Sequence, residues 1–402
     1  MDLVDDARAL RGDLGELRRA LHAEPEVGLR LPRTQERVLE ALRGLPLEIS
    51  TGTEVSSVTA VLRGGRRTDD PTTVLLRGDM DALPVTERSG EPFAAHNGAM
   101  HACGHDLHTA ALVGAARLLC ALADRLTGDV VFMFQPGEEG WNGAGLMIDE
   151  GVLDAAGRRA DHAYALHVWS TGLADGLPTG AVASRAGTIL SASYDLDVTV
   201  RGVGGHGSMP HTARDPVAAA AEMVTALQTA VTRSFDVFDP VVLTVGVLRA
   251  GSRRNVIPDT ASFEATVRGF SAGIENQMRD VFTRTLRGVA EAHGVRVDVS
   301  LAECNPATVN AGAEVDFAGE VARELFGDDR YRTIRNPVSA SEDFSRVLSS
   351  VPGAMLIVGA CPGSVDPAAG PPNHSPLVRF DEDVLVPSAA LYAGLAATRL
   401  SG

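Results

Sequence analysis

The sequence predicts an α/β protein with a mixed, mostly parallel sheet flanked by helices, into which a smaller α+β domain is inserted. Its 402 residues exceed what one core usually holds, which favours about two domains. Before residue 186, short apolar runs alternate with helical segments, as in parallel sheets. After it, strands alternate apolar and polar residues, which is typical of a sheet with one solvated face. We therefore predict a first domain over 1–185 and 303–402 and an inserted domain over 186–302.

The first domain begins with helical apolar spacing over residues 7–44, broken by two prolines. An Ala/Leu-rich run without proline predicts a long buried helix over 109–126. Ligands of such sheets bind beyond the carboxyl ends of the strands, where Asp81, Glu138, Glu139 and His167 fall. The predicted strands are 72–77, 130–134, 163–167 and 354–359.

The inserted domain shows a β-α-β-β-α-β pattern. A glycine-rich loop, 202–207, follows its first strand. The loop carries His206, and its glycines indicate turns or close backbone approaches. The predicted strands and helices, in chain order, are 193–200, 215–233, 241–248, 261–268, 273–293 and 296–301.

Composition limits the partners and the compartment. The formal net charge is −16 and no Lys/Arg-rich block occurs, which argues against nucleic acid or an anionic membrane as partner. The first six residues are acidic where a signal peptide would be basic and then apolar. We found no apolar run near the roughly 18–20 residues that span a bilayer. Four widely separated cysteines fit a reducing compartment, so a cytoplasmic protein is expected.

The segment 101–108 carries the strongest chemical signal. Cys103 and His105 are two residues apart, so in extended or turning chain their side chains point to the same side and can face one cation. A thiolate together with an imidazole suits zinc-like cations. An isolated pair of this kind is more often a buried thiol beside satisfied polar groups. Three later segments, however, offer matching ligands in Glu139, His167 and His374.

These five side chains exceed the needs of one tetrahedral structural site and are too dispersed for a zinc finger. Together with a shared water they would suit two cations about 3.5–4 Å apart, as in two-metal hydrolases. In the pair Glu138-Glu139, one carboxylate can hold a metal while the other acts on a water. We expect Asp81 to orient a ligand, since metal-bound histidines commonly donate their other N–H to a carboxylate.

The chain resembles the M20 metallopeptidase/aminoacylase family, in particular the amidohydrolase branch that contains hippurate hydrolases and indole-3-acetyl-amino-acid hydrolases. The similarity extends almost from end to end of the chain. Its motifs are LHAEPE (21–26), RGDMDALPV (77–85), MHACGHDLHTA (100–110), FQPGEEG (134–140), ALHVW (165–169), GGHGSMPHTARDPV (204–217), NVIPDTASFEATVRGF (255–270), SEDFS (341–345) and NHSPLVRFDED (373–383).

This resemblance implies a zinc-exopeptidase-like catalytic domain and an inserted lid and dimerisation domain. It implies two divalent cations per subunit, Zn or Mn first and Co or Ni as further candidates, which the five ligands named above would hold. Glu138 would be the general base. His206 would stabilise the oxyanion in the partner subunit's site, while Asn255 and Arg268 would meet the substrate carboxylate. Asp79 stands where related families have a histidine ligand.

The implied reaction is hydrolysis of an N-acyl amino acid, such as hippurate or an N-acetyl amino acid, by a homodimer joined through the inserted domain. Metallo-dipeptidase or carboxypeptidase activity is the main alternative. A hydrolase with Cys103 as nucleophile would leave Glu138, Glu139 and His374 without a purpose. A non-catalytic binding protein would usually have lost the base, yet Glu138 is present.

Overall fold

A computed structural model describes residues 2–66, 68–171 and 176–401. The chain divides into two compact units, Met1–Ile189 with Thr308–Val338 and Asp343–Gly402, and Leu190–Ala307 with Ser339–Glu342. The sequence predicted boundaries at 186 and 302 and did not assign 339–342 to the inserted domain. The helices are α1 (Leu3–Ala9), α2 (Arg11–Ala23), α3 (Pro32–Ala41), α4 (His105–Leu122), α5 (Gly143–Asp149), α6 (Pro216–Ser234), α7 (Ile274–His293), α8 (Gly312–Phe326), α9 (Ser345–Leu348) and α10 (Leu385–Leu400).

Strands occur in both units. They are β1 (Glu48–Thr51), β2 (Val58–Leu62), β3 (Thr73–Asp79), β4 (Asp129–Gln135), β5 (His162–Trp169), β6 (Val182–Ser184), β7 (Gly187–Leu190), β8 (Ala192–Arg201), β9 (Gly205–His206), β10 (Val242–Ala250), β11 (Val256–Ile257), β12 (Thr260–Gly269), β13 (Arg296–Asn305), β14 (Thr308–Asn310), β15 (Tyr331–Thr333) and β16 (Gly353–Gly359).

The first unit is built on a mixed sheet with the strand order β1-β2-β4-β3-β5-β16-β6-β15. Its four central strands, β4, β3, β5 and β16, are parallel, whereas β1–β2, β2–β4 and β16–β6 are antiparallel pairs. Helices α4 and α10 pack on each other and on β3 and β5. The predicted mixed, mostly parallel sheet flanked by helices is confirmed, and β3, β4 and β5 end at the same edge of it.

The second unit is an antiparallel sheet in the order β10-β12-β8-β13, covered on one face by α6 and α7. Buried and exposed positions alternate along β8 and β12 because only one face meets the helices. The core of this unit therefore lies between the sheet and the two helices. This is the α+β architecture expected from the sequence.

Helix α4 with the turn after it, His105–Arg125, is long and apolar enough to cross a membrane by length and composition alone. The expectation that no apolar run approaches that length is therefore wrong for this segment. Its most apolar stretch has a mean hydropathy of 1.3 and is 78% buried inside the protein. The interior helix of a globular unit meets the same criterion, because it is apolar on every side.

Candidate active site

The segment that joins Cys103 to His105 turns sharply at Gly104. Gly104 precedes α4 with a left-handed backbone, φ 85°. A Cβ at this position would lie 2.3 Å from Cγ2 of Val168, so the turn requires glycine. The turn places the Cys103 thiol and the His105 ring, both buried, on the same side of the sheet edge.

The Nε2 atoms of two histidines lie close to this thiol. His105 Nδ1 donates a hydrogen bond to the Asp81 carbonyl oxygen at 2.8 Å, and His167 Nδ1 donates to the Val168 carbonyl oxygen at 2.8 Å. Each ring therefore carries its proton on Nδ1, and Nε2 keeps a lone pair. His167 Nε2 lies 3.4 Å from Cys103 Sγ. His105 Nε2 is buried without a hydrogen-bond partner among the residues that the structure describes.

The adjacent glutamates lie in a tight turn after β4. Gly137 and Gly140, on either side of the pair, have positive φ. The Asp81 carboxylate accepts a hydrogen bond from the Glu138 N–H at 3.0 Å and another from the Glu139 N–H at 3.1 Å. These bonds fix the backbone of both glutamates, so their side chains diverge from a rigid base.

The structure corrects one detail of the sequence-based expectation for Asp81. We expected its carboxylate to orient a ligand histidine. The backbone carbonyl of Asp81 accepts that bond from His105 instead, and carboxylate Oδ1 lies 3.5 Å from the ring nitrogen. The carboxylate is occupied by the two backbone N–H groups of the glutamate turn, which sequence spacing cannot reveal.

His374 comes to the site from the C-terminal part of the chain. Its backbone has φ 71°, and its N–H donates to the Ala102 carbonyl oxygen at 2.9 Å. Nε2 lies 3.3 Å from Cys103 Sγ and 3.1 Å from Glu139 Oε1. Hydrogen bonds to Cys103 and Glu139 raise the pKa of His374 to about 10. The electron-rich thiol and carboxylate thus favour a positive charge at this point.

The candidate ligands form three groups, and within each group the ligand atoms lie within 4.8 Å of one another. The first two share the Cys103 thiol, and the third contains the neighbouring glutamates. Thiol, imidazole and carboxylate together form a donor set suited to divalent transition metals, so the residues fit such cations. The groups are Cys103, His105 and His167; Cys103, Glu139 and His374; and His105, Glu138 and Glu139.

A further group, Asp79 with His105 and His108, is less available for a cation. His108 Nδ1 donates to Asp79 Oδ1 at 2.6 Å, and His108 Nε2 accepts the Val168 N–H at 2.8 Å. Asp79 Oδ2 accepts from Arg77 at 2.7 Å. Burial opposes ionisation of Asp79, but the charge of Arg77 and the hydrogen bond from His108 hold its pKa well below the usual range. Asp79 is thus an anion already paired with protein groups beside the site.

Sequence reasoning did not assign a role to His108. It follows His105 by three residues, a spacing that puts both on one face of a helix, and the rings stack with centroids 5.4 Å apart. The predicted helix began at residue 109, whereas α4 begins at His105. An earlier predicted start would have revealed this pair.

In the second unit, the structure places His206 beside Asn255. Strand β9 pairs with β11 so that His206 is opposite Val256, and the Gly207 N–H donates to the Asn255 carbonyl oxygen at 2.9 Å. His206 Nδ1 accepts from the Ser208 N–H at 3.2 Å. The ring proton is therefore on Nε2, where it can be donated to a substrate oxygen.

Arg268 is not part of that pair. It lies near the end of β12 and opposite Ser193 of β8, whereas Thr260, three residues after β11, begins the strand. At about 3.4 Å per residue, Thr260 and Arg268 are about 27 Å apart along β12. Burial lowers the pKa of the half-buried Arg268. The nearby Cys304 and Asp195 partly offset this lowering.

Comparison with known proteins identifies the chain. Residues 75–398 match the model of peptidase family M20/M25/M40. The chain belongs to this family. Thermostable carboxypeptidase 2 of Saccharolobus solfataricus is 33% identical over 98% of both chains, and hippurate hydrolase of Campylobacter jejuni is 32% identical over 86% of this chain and 87% of its own.

A solved structure gives the same result. The YXEP protein of Bacillus subtilis, described as a dinuclear metal binding peptidase from the M20 family, has a TM-score of 0.81 and 28% identity, covering 98% of this chain and 99% of its own. The M20 assignment made from sequence motifs is confirmed. This M20 protein is a metal-dependent hydrolase of the amidohydrolase type.

Proposed function

We propose that this M20 enzyme hydrolyses the amide bond of N-acyl amino acids, of the hippurate or N-acetyl type, to a carboxylic acid and a free amino acid. One observation carries the proposal. Two groups of ligand atoms share Cys103, and Glu138 lies next to them with its backbone fixed by Asp81. A relative named hippurate hydrolase supports the substrate class.

We assign two divalent cations to Cys103, His105, Glu139, His167 and His374. Zn or Mn is preferred and Co or Ni is possible, because Cys, His and Glu donors accept all four. Bound cations of this kind would lower the pKa of a shared water from 15.7 towards about 7.

Glu138 is assigned the proton transfers. Its Oε2 lies 4.0 Å from His105 Nε2, so the carboxylate reaches the region where the ligand atoms converge. It takes the proton of the attacking water and then passes it to the departing amine. Asp81 supports this role by holding the Glu138 N–H, so we class it as a positioning residue.

The second unit is assigned recognition of the reacting amide and of the substrate carboxylate. His206 would donate Nε2–H to the oxyanion, which its bond from Ser208 favours. Asn255, its neighbour, would bind the carboxylate. Arg268 is retained as a weaker candidate for that role, because it lies far along β12 from the other two.

We further propose a cytoplasmic homodimer joined through the second unit. Strand β10 is at one edge of its sheet, where backbone groups remain available to pair. Apolar residues are exposed on and near this edge: Leu248 is 54% exposed and Phe238, in the loop before β10, is 95% exposed. Such exposure favours a protein interface.

The test is hydrolysis of matched substrates at one fixed metal loading. The panel contains hippurate, N-acetyl amino acids, the same compounds with the carboxylate amidated, and dipeptides. We expect N-acyl amino acids to be hydrolysed and their amidated forms to lose most of kcat/KM, because the carboxylate is a recognition element. Preference for dipeptides or longer peptides would instead establish the peptidase alternative, which the carboxypeptidase relative keeps open.

A thiol hydrolase remains the second candidate, because Cys103 Sγ lies 3.4 Å from His167 Nε2 and 3.3 Å from His374 Nε2. The same panel separates the two after chelation and after alkylation. Our proposal requires loss of activity on metal removal and recovery on adding Mn or Zn. Activity that survives metal removal but not alkylation would identify Cys103 as the nucleophile.

A further inference from the structure

The LHAEPE segment, 21–26, has no role in the chemistry above, yet it packs against the loop that carries two candidate ligands. His22, in the last turn of α2, is buried. Its Nδ1 lies 2.8 Å from Oδ2 of Asp106, the residue that follows His105. An N-terminal helix is therefore connected directly to the first turn of α4.

This contact belongs to a buried charged cluster. Arg18 Nε donates to the same Asp106 oxygen at 2.7 Å, and His22 Nε2 lies 3.1 Å from Glu87 Oε1. Burial alone would lower the pKa of His22, but Asp106 and Glu87 outweigh it and raise the pKa to about 9. His22 is thus a cation that donates a hydrogen bond from each ring nitrogen.

The position of Asp106 makes the cluster relevant to the ligands. Asp106 is in the first turn of α4, and among the described residues this helix has no side-chain cap on its N-terminus. Gly104, directly before the helix, has the left-handed backbone that separates Cys103 from His105. Asp106, two residues after Gly104, therefore ties the first turn of α4 to α2 through its bonds with His22 and Arg18.

We propose that His22 and Asp106 are positioning residues that hold the Cys103–His105 segment in the geometry that binds metal. His22 fixes the orientation of Asp106, and Asp106 fixes the first turn of α4, on which His105 lies. This inference rests on the metal ligands assigned under the proposed function. It gives a role to the LHAEPE segment that neither proton transfer nor substrate binding explains.

The test compares three replacements of His22. Alanine removes both hydrogen bonds, asparagine places an amide N–H near Nδ1 and keeps the bond to Asp106, and glutamine places one near Nε2, facing Glu87. Metal affinity is measured by chelator competition, and ligand geometry by the visible spectrum of the Co(II)-loaded protein. We expect His22→Ala to weaken metal affinity about 10–100-fold, the usual effect of losing such outer partners. His22→Asn should stay close to wild type, and His22→Gln should resemble alanine.

Glu314→Gln is the matched control, because Glu314 is the centre of another buried polar cluster in the same unit. It accepts hydrogen bonds from His162 at 3.0 Å, from Arg399 at 2.8 Å and from the Tyr164 hydroxyl. Its replacement should lower Tm without changing metal affinity or the Co(II) spectrum. Asp106→Asn, which keeps the size of the side chain, is the second variant and should alter both metal readouts.

Unchanged metal affinity and spectrum in His22→Ala would overturn the inference. So would an equal loss of affinity in Glu314→Gln, which would show only general destabilisation, or rescue by glutamine in place of asparagine, which would assign the effect to Glu87. If the wild-type protein itself bound no divalent metal, the proposed function would fail first. If wild type binds metal and His22→Ala binds it with the same affinity, only the positioning role is overturned.

Discussion

Replacing Glu138 with glutamine is expected to lower kcat by about 10²–10⁴-fold, the usual contribution of a general acid–base group. The loss should lie towards the upper limit, because the same carboxylate both accepts the proton of the water and returns it to the amine. Glutamine keeps the size of the side chain and the backbone bond from N–H to Asp81. Metal content and KM should therefore change little, and steady-state kinetics with metal analysis on the same sample measures all three.

Glu139→Gln is the matched control for this experiment. Glu139 is adjacent in the same turn and its N–H also bonds Asp81, but its Oε1 lies 3.1 Å from His374 Nε2, among the assigned ligands. We expect this variant to lose metal affinity first and activity as a consequence. Near-normal turnover in Glu138→Gln would refute the assignment of the base, whatever the behaviour of Glu139→Gln.

Replacing His206 with alanine is expected to lower kcat by about 10²–10³-fold, as the loss of one oxyanion donor does in other hydrolases. The structure favours a proton on Nε2, since Nδ1 accepts from Ser208. His211→Ala is the control, because His211 is an exposed histidine in the same unit. A normal rate in His206→Ala, or an equal loss in His211→Ala, would contradict the role of His206.

Mixing the two inactive variants tests whether His206 acts on the partner's site. A hybrid of Glu138→Gln and His206→Ala subunits would contain one complete site, because one subunit supplies the base and the other the oxyanion donor. With free subunit exchange, half of the dimers are hybrids, so about one quarter of wild-type activity should return. No recovery, with exchange shown independently, would place His206 in the site of its own subunit.

The sequence predicted the central fold well because the strands that matter are long or strongly apolar. Strands β3, β4, β5 and β16 lie within a few residues of the predicted runs. Neither β1 nor β2 was predicted from the sequence, although Val58–Leu62 is a five-residue run similar to the one that predicted β4. The three-residue strands β6, β14 and β15 were also not predicted, because strands this short depend on tertiary pairing.

For the site, the sequence identified residue types but not their hydrogen bonds. The five candidate ligands do converge in the first unit, where their ligand atoms form overlapping groups within 4.8 Å. What sequence spacing could not give was the division of labour between the Asp81 carbonyl and carboxylate, or the link from His22 to Asp106. These contacts join residues 24, 58 and 84 positions apart in the chain, which only folding brings together.

The most direct test of this account is the number of divalent cations bound per chain. Metal-free protein would be equilibrated with Zn or Mn, separated from free metal, and analysed for metal and protein in the same sample. We expect two cations per chain in wild type and in Glu138→Gln, with hydrolysis restored only in wild type. One cation or none in fully active wild-type protein would contradict the two-metal site.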